Sequence, residues 1–180
     1  MSGLSIQRYE SQPAAFRAYD PRWAELAALL VQTIENREPR LHVDHIGSTS
    51  VSECRGKGVI DLAVTYLEGD LENAKAALDG LGFQRQHGRD PFPETRPMRE
   101  GSVTVFGETF NVHAHVILRD GEEHRELLGF RNALRCDPEL RRAYESEKER
   151  IIASGTTDSL EYCYAKGAFI AQALETIGKP

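Results

Sequence analysis

Apolar residues recur at helical spacing from Trp23 onward, with Leu26, Ala27, Leu30, Val31 and Ile34 following behind Asp20-Pro21. A capping Asp before a Pro at the first helical position predicts a packing helix there. Two β-like runs come next, Leu41–Ile46 and Val59–Leu67. Asp70–Leu81 then carries Leu71, Ala74, Ala77, Leu78 and Leu81 on one side, with Gly80 and Gly82 near its end, and predicts a second helix. Phe83 opens a short strand. From Gln86 to Gly101 the residues Pro91, Pro93 and Pro97 stand among His87, Arg89, Asp90, Arg96 and Arg99, which predicts a loop. Ser102–Phe106 and Thr109–Leu118 flank Gly107-Glu108 as the arms of a hairpin. The remainder is helical: Glu122–Arg135, then a helix started by Asp137-Pro138 and ended by Gly155, then Ser159–Ile177 behind a cap in Thr156–Asp158. The expected class is α+β, a small mixed sheet flanked by helices with a helical C-terminal part, in a single domain over residues 1–180.

The 180 residues are 40% hydrophobic and 28% charged, the make-up of an ordinary soluble globule, and the net charge of −6 argues against binding extended nucleic acid or an anionic membrane. Cys54, Cys136 and Cys163 are widely spaced and odd in number, with no C-x-x-C pair, which predicts reduced thiols in a cytoplasmic protein. No long apolar span interrupts the chain, so no membrane partner is expected.

Chemistry concentrates between Leu41 and Leu67. The loop joining the two runs carries Gly47, Ser48, Thr49 and Ser50 at its start and Gly56-Lys57-Gly58 at its end. Glycines allow close backbone approach, while hydroxyls and Lys57 can face an anion, so these residues form a candidate phosphate cradle. The second run presents Asp61, a lone carboxylate among apolar residues, which needs a partner or a metal to offset its desolvation. His113 and His115 alternate along a later run and share a face, as two ligands of one metal or two contacts to one phosphate would. On the last helix Lys166 stands one turn from Tyr162 and can neutralise a phosphate. The Gln86–Gly101 segment reads as a solvated excursion or a lid. Cys54 reads as an ordinary loop thiol. Gly107, His113, His115 and Asp120 match the opening spacing of the cupin metal motif, but the helical patterns exclude the all-β cupin fold.

The string His45-Ile46-Gly47-Ser48-Thr49-Ser50-Val51, with Lys57 and Ile60-Asp61, resembles the GrpB family of nucleotidyltransferase-like proteins, as do His113-Ala114-His115-Val116, Phe130-Arg131, Asp137-Pro138-Glu139-Leu140 and Tyr164-Ala165-Lys166. The resemblance implies a nucleotidyltransferase-like fold, in which the Gly-Ser turn holds phosphates and acidic residues hold Mg²⁺. Active nucleotidyltransferases carry a second carboxylate two residues after the first, and here that position is Ala63. Three readings follow: a Mg²⁺-dependent nucleotidyltransferase using Asp61; a degenerate binder of a nucleotide or other phosphorylated small molecule; and a metal enzyme built on His113 and His115 with Asp61, binding a divalent ion softer than Mg²⁺.

Overall fold

A computed structural model describes residues 4–10, 16–88, 90–105, 107–156 and 159–177. Arg89, Phe106 and the proposed cap residues Thr157 and Asp158 lie outside the described residues. Helix α1 (Arg22–Arg37) leads into β1 (His42–Ile46), a single 3-10 turn at Ser48–Ser50, β2 (Ile60–Tyr66) and α2 (Leu71–Leu81). Then come β3 (Gln84–Arg85), β4 (Met98–Val105), β5 (Glu108–Leu118), α3 (Glu122–Cys136), α4 (Pro138–Ala153) and α5 (Ser159–Ile177).

Local chemistry accounts for the element ends. The Asp20 carboxylate accepts the Arg22 N–H at 2.9 Å, Gly82 closes α2 with φ of 101°, and Asp137 accepts the N–H groups of Glu139 and Leu140 at 2.9 and 3.1 Å behind Pro138. The loop expected over 86–101 is shorter than that, because Met98–Gly101 belong to β4. Residues 98–103 are all buried, so the strand shows no alternation, and its charged members are carried in by side-chain partners. Arg99 is fully buried, with Asp79 2.6 Å from its Nε and Glu94 3.0 Å from its Nη1.

The five strands stand in the order β1-β2-β5-β4-β3. Only β2 and β5 run parallel, pairing Asp61 with His113 and Ala63 with His115; the other pairs are antiparallel. Alternation therefore divides the sheet cleanly. Val43, Ile60, Leu62, Val64, Val112, Ala114 and Val116 join Trp23, Leu26, Leu30, Ile34 and Leu78 in the main core under α1 and α2. The opposite face carries Asp44, Asp61, His113 and His115, and α3 covers only part of it, through Leu127 and Leu128 on Ile46, Ala63 and Ile117. A third cluster, Val51, Cys54, Leu134 and Tyr144 with Phe130, Leu140, Phe169 and Ile170, fastens α3, α4 and α5 to the loop after β1. Among the described residues, no helix is long and apolar enough to cross a membrane.

Candidate functional site

Three consecutive placements build the floor of the site. β2 brings Asp61 to the exposed part of the sheet face, and the parallel pairing sets His113 directly beside it, with His115 two residues further along. His113 Nδ1 lies 3.4 Å and His115 Nε2 3.8 Å from Asp61 Oδ1, and the three side chains are 21%, 18% and 27% exposed in the order His113, His115, Asp61. The cluster expected from alternation is therefore present.

Each imidazole has an outer partner on the side away from Asp61. The Tyr9 hydroxyl is 3.1 Å from His113 Nε2 and the rings lie 5.5 Å apart. Burial, reinforced by the carboxylates of Glu100 and Asp61, pushes the Tyr9 phenol up to about 12, so it keeps its proton. Arg96 Nη1 donates to His115 Nδ1 at 3.3 Å, which leaves the His115 proton on Nε2, facing Asp61. Burial holds His115 below its ordinary range despite the attraction of Asp61, so the imidazole is neutral. For Asp61, burial acts to raise the pKa, but the two imidazoles outweigh it and hold the carboxyl well below the usual range. An ionised carboxylate thus faces the two imidazoles at 3.4 and 3.8 Å, distances too long for strong hydrogen bonds.

The turn beside Asp61 is shaped by necessity. Gly47 has φ of 69°, and a Cβ built there would lie 2.6 Å from Asp61 Oδ2, so only glycine allows this approach. Of the hydroxyls expected to hold phosphate, two turn inward. Thr49 Oγ1 donates to the Val59 carbonyl at 3.0 Å and meets His45 Nε2 at 3.0 Å, while Ser50 Oγ donates to the Gly47 carbonyl at 2.6 Å. These bonds fix the turn. Ser48 instead faces Gly56, where an added Cβ would lie 2.4 Å from Ser48 Oγ and 3.7 Å from Lys148 Nζ.

Cations gather on that side. Lys57 is half-buried with its Nζ 3.7 Å from the Tyr162 ring centroid, and Lys166 Nζ approaches the same ring at 5.5 Å. Burial opposes the charge of Lys166, yet the groups facing it, including Tyr144 and Asp61, raise its pKa above the ordinary lysine range. Lys148, on α4, was not among the residues singled out from sequence. It is only 1% exposed, and its Nζ meets the Arg55 carbonyl, the Cys54 thiol at 3.8 Å and the Tyr144 ring at 4.4 Å, all of them uncharged. Burial pushes its pKa down and Lys166 adds to that, offset in part by Cys54 and by Glu145 one turn back on α4. In sequence it is one lysine among the charges of Glu145–Arg150, and helical spacing alone does not separate it from them. Cys54 itself is buried, and burial pushes its thiol up, the reverse of a nucleophile's environment.

Two other acidic groups border the site. Asp44 is closed off by Arg131 Nη1 at 3.3 Å and His124 Nε2 at 3.1 Å, a staple between β1 and α3. Glu100 shares the sheet face and is 6% exposed, accepting the His87 N–H at 3.2 Å. It pairs with His113 on the side away from Asp61, two strand spacings or about 9.6 Å across the sheet from that residue's backbone. Nucleotidyltransferase chemistry calls for Mg²⁺ on clustered carboxylates. Asp61 has Ala63 at the neighbouring same-face position and imidazoles beyond, a donor set that does not suit that hard ion. Among the described residues, no group of three or more His, Cys, Asp or Glu side chains is arranged to hold a metal ion.

The segment after β3 forms a wall beside His115. Phe92 meets the His115 ring edge-on at 5.9 Å, Asp90 Oδ2 accepts from the Tyr164 hydroxyl of α5 at 2.5 Å, and Arg96 grips Glu123 of α3, with Nε 3.0 Å from Oε2.

The family model described as GrpB protein matches residues 13–176 of the chain. A UPF0157 protein of Vibrio cholerae is 32% identical over 175 residues, covering 96% of this chain and 84% of that protein. One of Pseudomonas aeruginosa is 30% identical over 179 residues, covering 96% and 69%. The crystal structure of conserved protein GrpB from Enterococcus faecalis superposes with a TM-score of 0.69 at 23% identity, over 91% of this chain and 96% of that one. Cid1, in a structure titled for its RNA terminal uridylyl transferase activity, gives a TM-score of 0.52 at 16% identity over 83% of this chain and 47% of Cid1. The fold is thus the nucleotidyltransferase-like one, as the strand-turn-strand order implies.

Proposed function

The chain belongs to the GrpB family, and on that footing we propose that it binds a nucleotide or other phosphorylated small molecule on a nucleotidyltransferase-like scaffold. Gly47 and Ser48 offer the backbone and hydroxyl contacts, and Lys57, Lys148 and Lys166 supply the positive charge.

One observation carries this reading. Lys148 is buried beside Ser48 and Gly56, and the groups its ammonium contacts are neutral. A buried ammonium without a carboxylate in contact is costly, and a phosphate seated against the turn would offset that cost. Asp61 sets the limit of the site on the other side. Its ionised carboxylate would repel a phosphate placed directly on it, so the anion belongs at the lysine end of the turn, and the Asp61, His113 and His115 cluster faces whatever the phosphate carries. Nucleotidyl transfer through Mg²⁺ is not part of the proposal, because the donor set around Asp61 does not suit that ion.

Lys148→Met tests it. Replacing a buried charge with an apolar chain of similar length should leave the melting temperature unchanged or higher. Calorimetric titration with nucleoside triphosphates and with inorganic tripolyphosphate should lose about 2 kcal/mol of affinity, the scale of a charge-assisted contact. Retained affinity in the folded variant would overturn the phosphate site.

A further inference from the structure

We propose that Phe92 is a stacking platform for a planar ring on the ligand, so that the phosphorylated molecule is a nucleotide rather than a sugar phosphate or an inorganic polyphosphate. This rests on the phosphate-binding reading above and adds the half of the ligand that the lysines do not address.

Phe92 is 41% exposed, which by itself is unremarkable for one aromatic residue on a loop. What sets it apart is how completely its position is fixed. The Arg96 guanidinium carbon lies 4.2 Å from the ring centroid, and the His115 ring meets it edge-on at 5.9 Å and 87°. Arg96 is itself held by both carboxylate oxygens of Glu123 and by His115. The Phe92 N–H donates to Gln86 Oε1 at 2.9 Å, the Arg96 N–H to the Pro93 carbonyl at 2.9 Å, and Asp90 takes the Tyr164 hydroxyl at 2.5 Å. Glu94 grips the buried Arg99. Ties to α3, α5, β4 and β5 therefore hold the segment on both sides of Phe92.

A loop aromatic so braced loses conformational freedom during folding while 41% of its surface stays in solvent. That outlay suits a surface prepared in advance for a flat partner, because binding then orders nothing further. The location fits. Phe92 is one imidazole removed from Asp61, since His115 touches both. A ligand with its phosphates at the Lys57, Lys148 and Lys166 end of the turn would extend past Asp61 towards this ring. The guanidinium lies over one face of the phenyl ring and the residue is still 41% exposed, which leaves surface for a flat partner to cover. Stacking is tolerant of base identity, so the platform calls for a planar heterocycle without choosing among bases.

The test compares wild type, Phe92→Ala and Phe92→Trp by equilibrium titration with ATP, UTP, adenosine and inorganic tripolyphosphate. Phe92→Ala should weaken both nucleotides about tenfold and leave tripolyphosphate unchanged, while Phe92→Trp keeps nucleotide affinity. An equal effect of Phe92→Ala on nucleotides and tripolyphosphate, or wild-type protein that binds tripolyphosphate as tightly as ATP, overturns the platform and leaves the phosphate site standing. Adenosine binding that depends on Phe92, with no binding of tripolyphosphate, keeps the platform and overturns the phosphate site. Binding of none of the four overturns both.

Discussion

Arg99 and Lys148 are both buried cations, 0% and 1% exposed, and their surroundings could hardly differ more. Arg99 meets two carboxylates, Asp79 at 2.6 Å and Glu94 at 3.0 Å, in a fork geometry that uses Nε, Nη1 and Nη2. Lys148 meets a carbonyl, a thiol and an aromatic ring. A guanidinium cannot shed its proton, so burying one requires counter-charges within the fold, and Arg99 has them. An ammonium can sit uncompensated at a lowered pKa, which keeps it available to an anion arriving from outside. Arg99 is completed by its own chain, whereas on the proposed reading Lys148 is completed by a bound phosphate.

The sharpest way to break this comparison is to make the same substitution at both places. Arg99→Met strands Asp79 and Glu94, but those carboxylates are 45% and 39% exposed and water screens them, so the expected loss is about 2–3 kcal/mol rather than the full cost of a buried broken pair. Thermal or urea unfolding of Arg99→Met against Lys148→Met measures it directly. Equal destabilisation by the two would mean that Lys148 is as internally satisfied as Arg99.

His45 sharpens the comparison by showing a third outcome, in which a buried group gives up its charge. Burial, with Arg135 and Arg131 adding to it against Asp61, holds the folded His45 down at about 4 from an ordinary 6.5. Between those values the unfolded chain takes up a proton that the folded chain refuses, so stability falls as the pH drops from 6.5 towards 4. The expected loss is on the order of 2 kcal/mol across that window. In His45→Gln the slope over the same interval should flatten, and an unchanged slope would assign the titration to other groups, His115 first. The smallest effect belongs to Ser48→Ala, which removes one hydroxyl from the anion's edge of the site. It should cost phosphate-ligand affinity about 1 kcal/mol in the same calorimetric titrations, with no change in stability.

Much of this was legible in the chain itself. Capping at Asp20 and Asp137 and the apolar spacing of α1 and α2 follow from side-chain chemistry within a few residues, and sequence displays that directly. Alternation alone put His113 and His115 on one face, and the family string tied Asp61 to the glycine turn. Legibility failed where a contact spans the chain. Tyr9 reaches His113 across |i−j| of 104, and Lys148 reaches Arg55 across 93, and nothing local to either residue signals the partner. The start of β4 was hidden for a different reason: Arg99 and Glu100 look like loop charges until Asp79, Glu94 and the His87 N–H are seen to accompany them inside. Thr49 and Ser50 show the converse. Their hydroxyls suggested ligand contacts, and the turn uses them to hold its own shape.

The single parallel pairing in the sheet also decides when the site comes into being during folding. The β1–β2 and β4–β5 pairs are antiparallel neighbours that can close early, through short or moderate loops. Asp61 and His113 meet only when β5 zips against β2, which closes an excursion of about fifty residues containing α2, β3 and β4. Both halves can therefore hold native-like secondary structure while the carboxylate and the imidazoles remain apart. In refolding experiments the hairpins should gain amide protection before any ligand can bind, and the capacity to bind should appear with the last cooperative step.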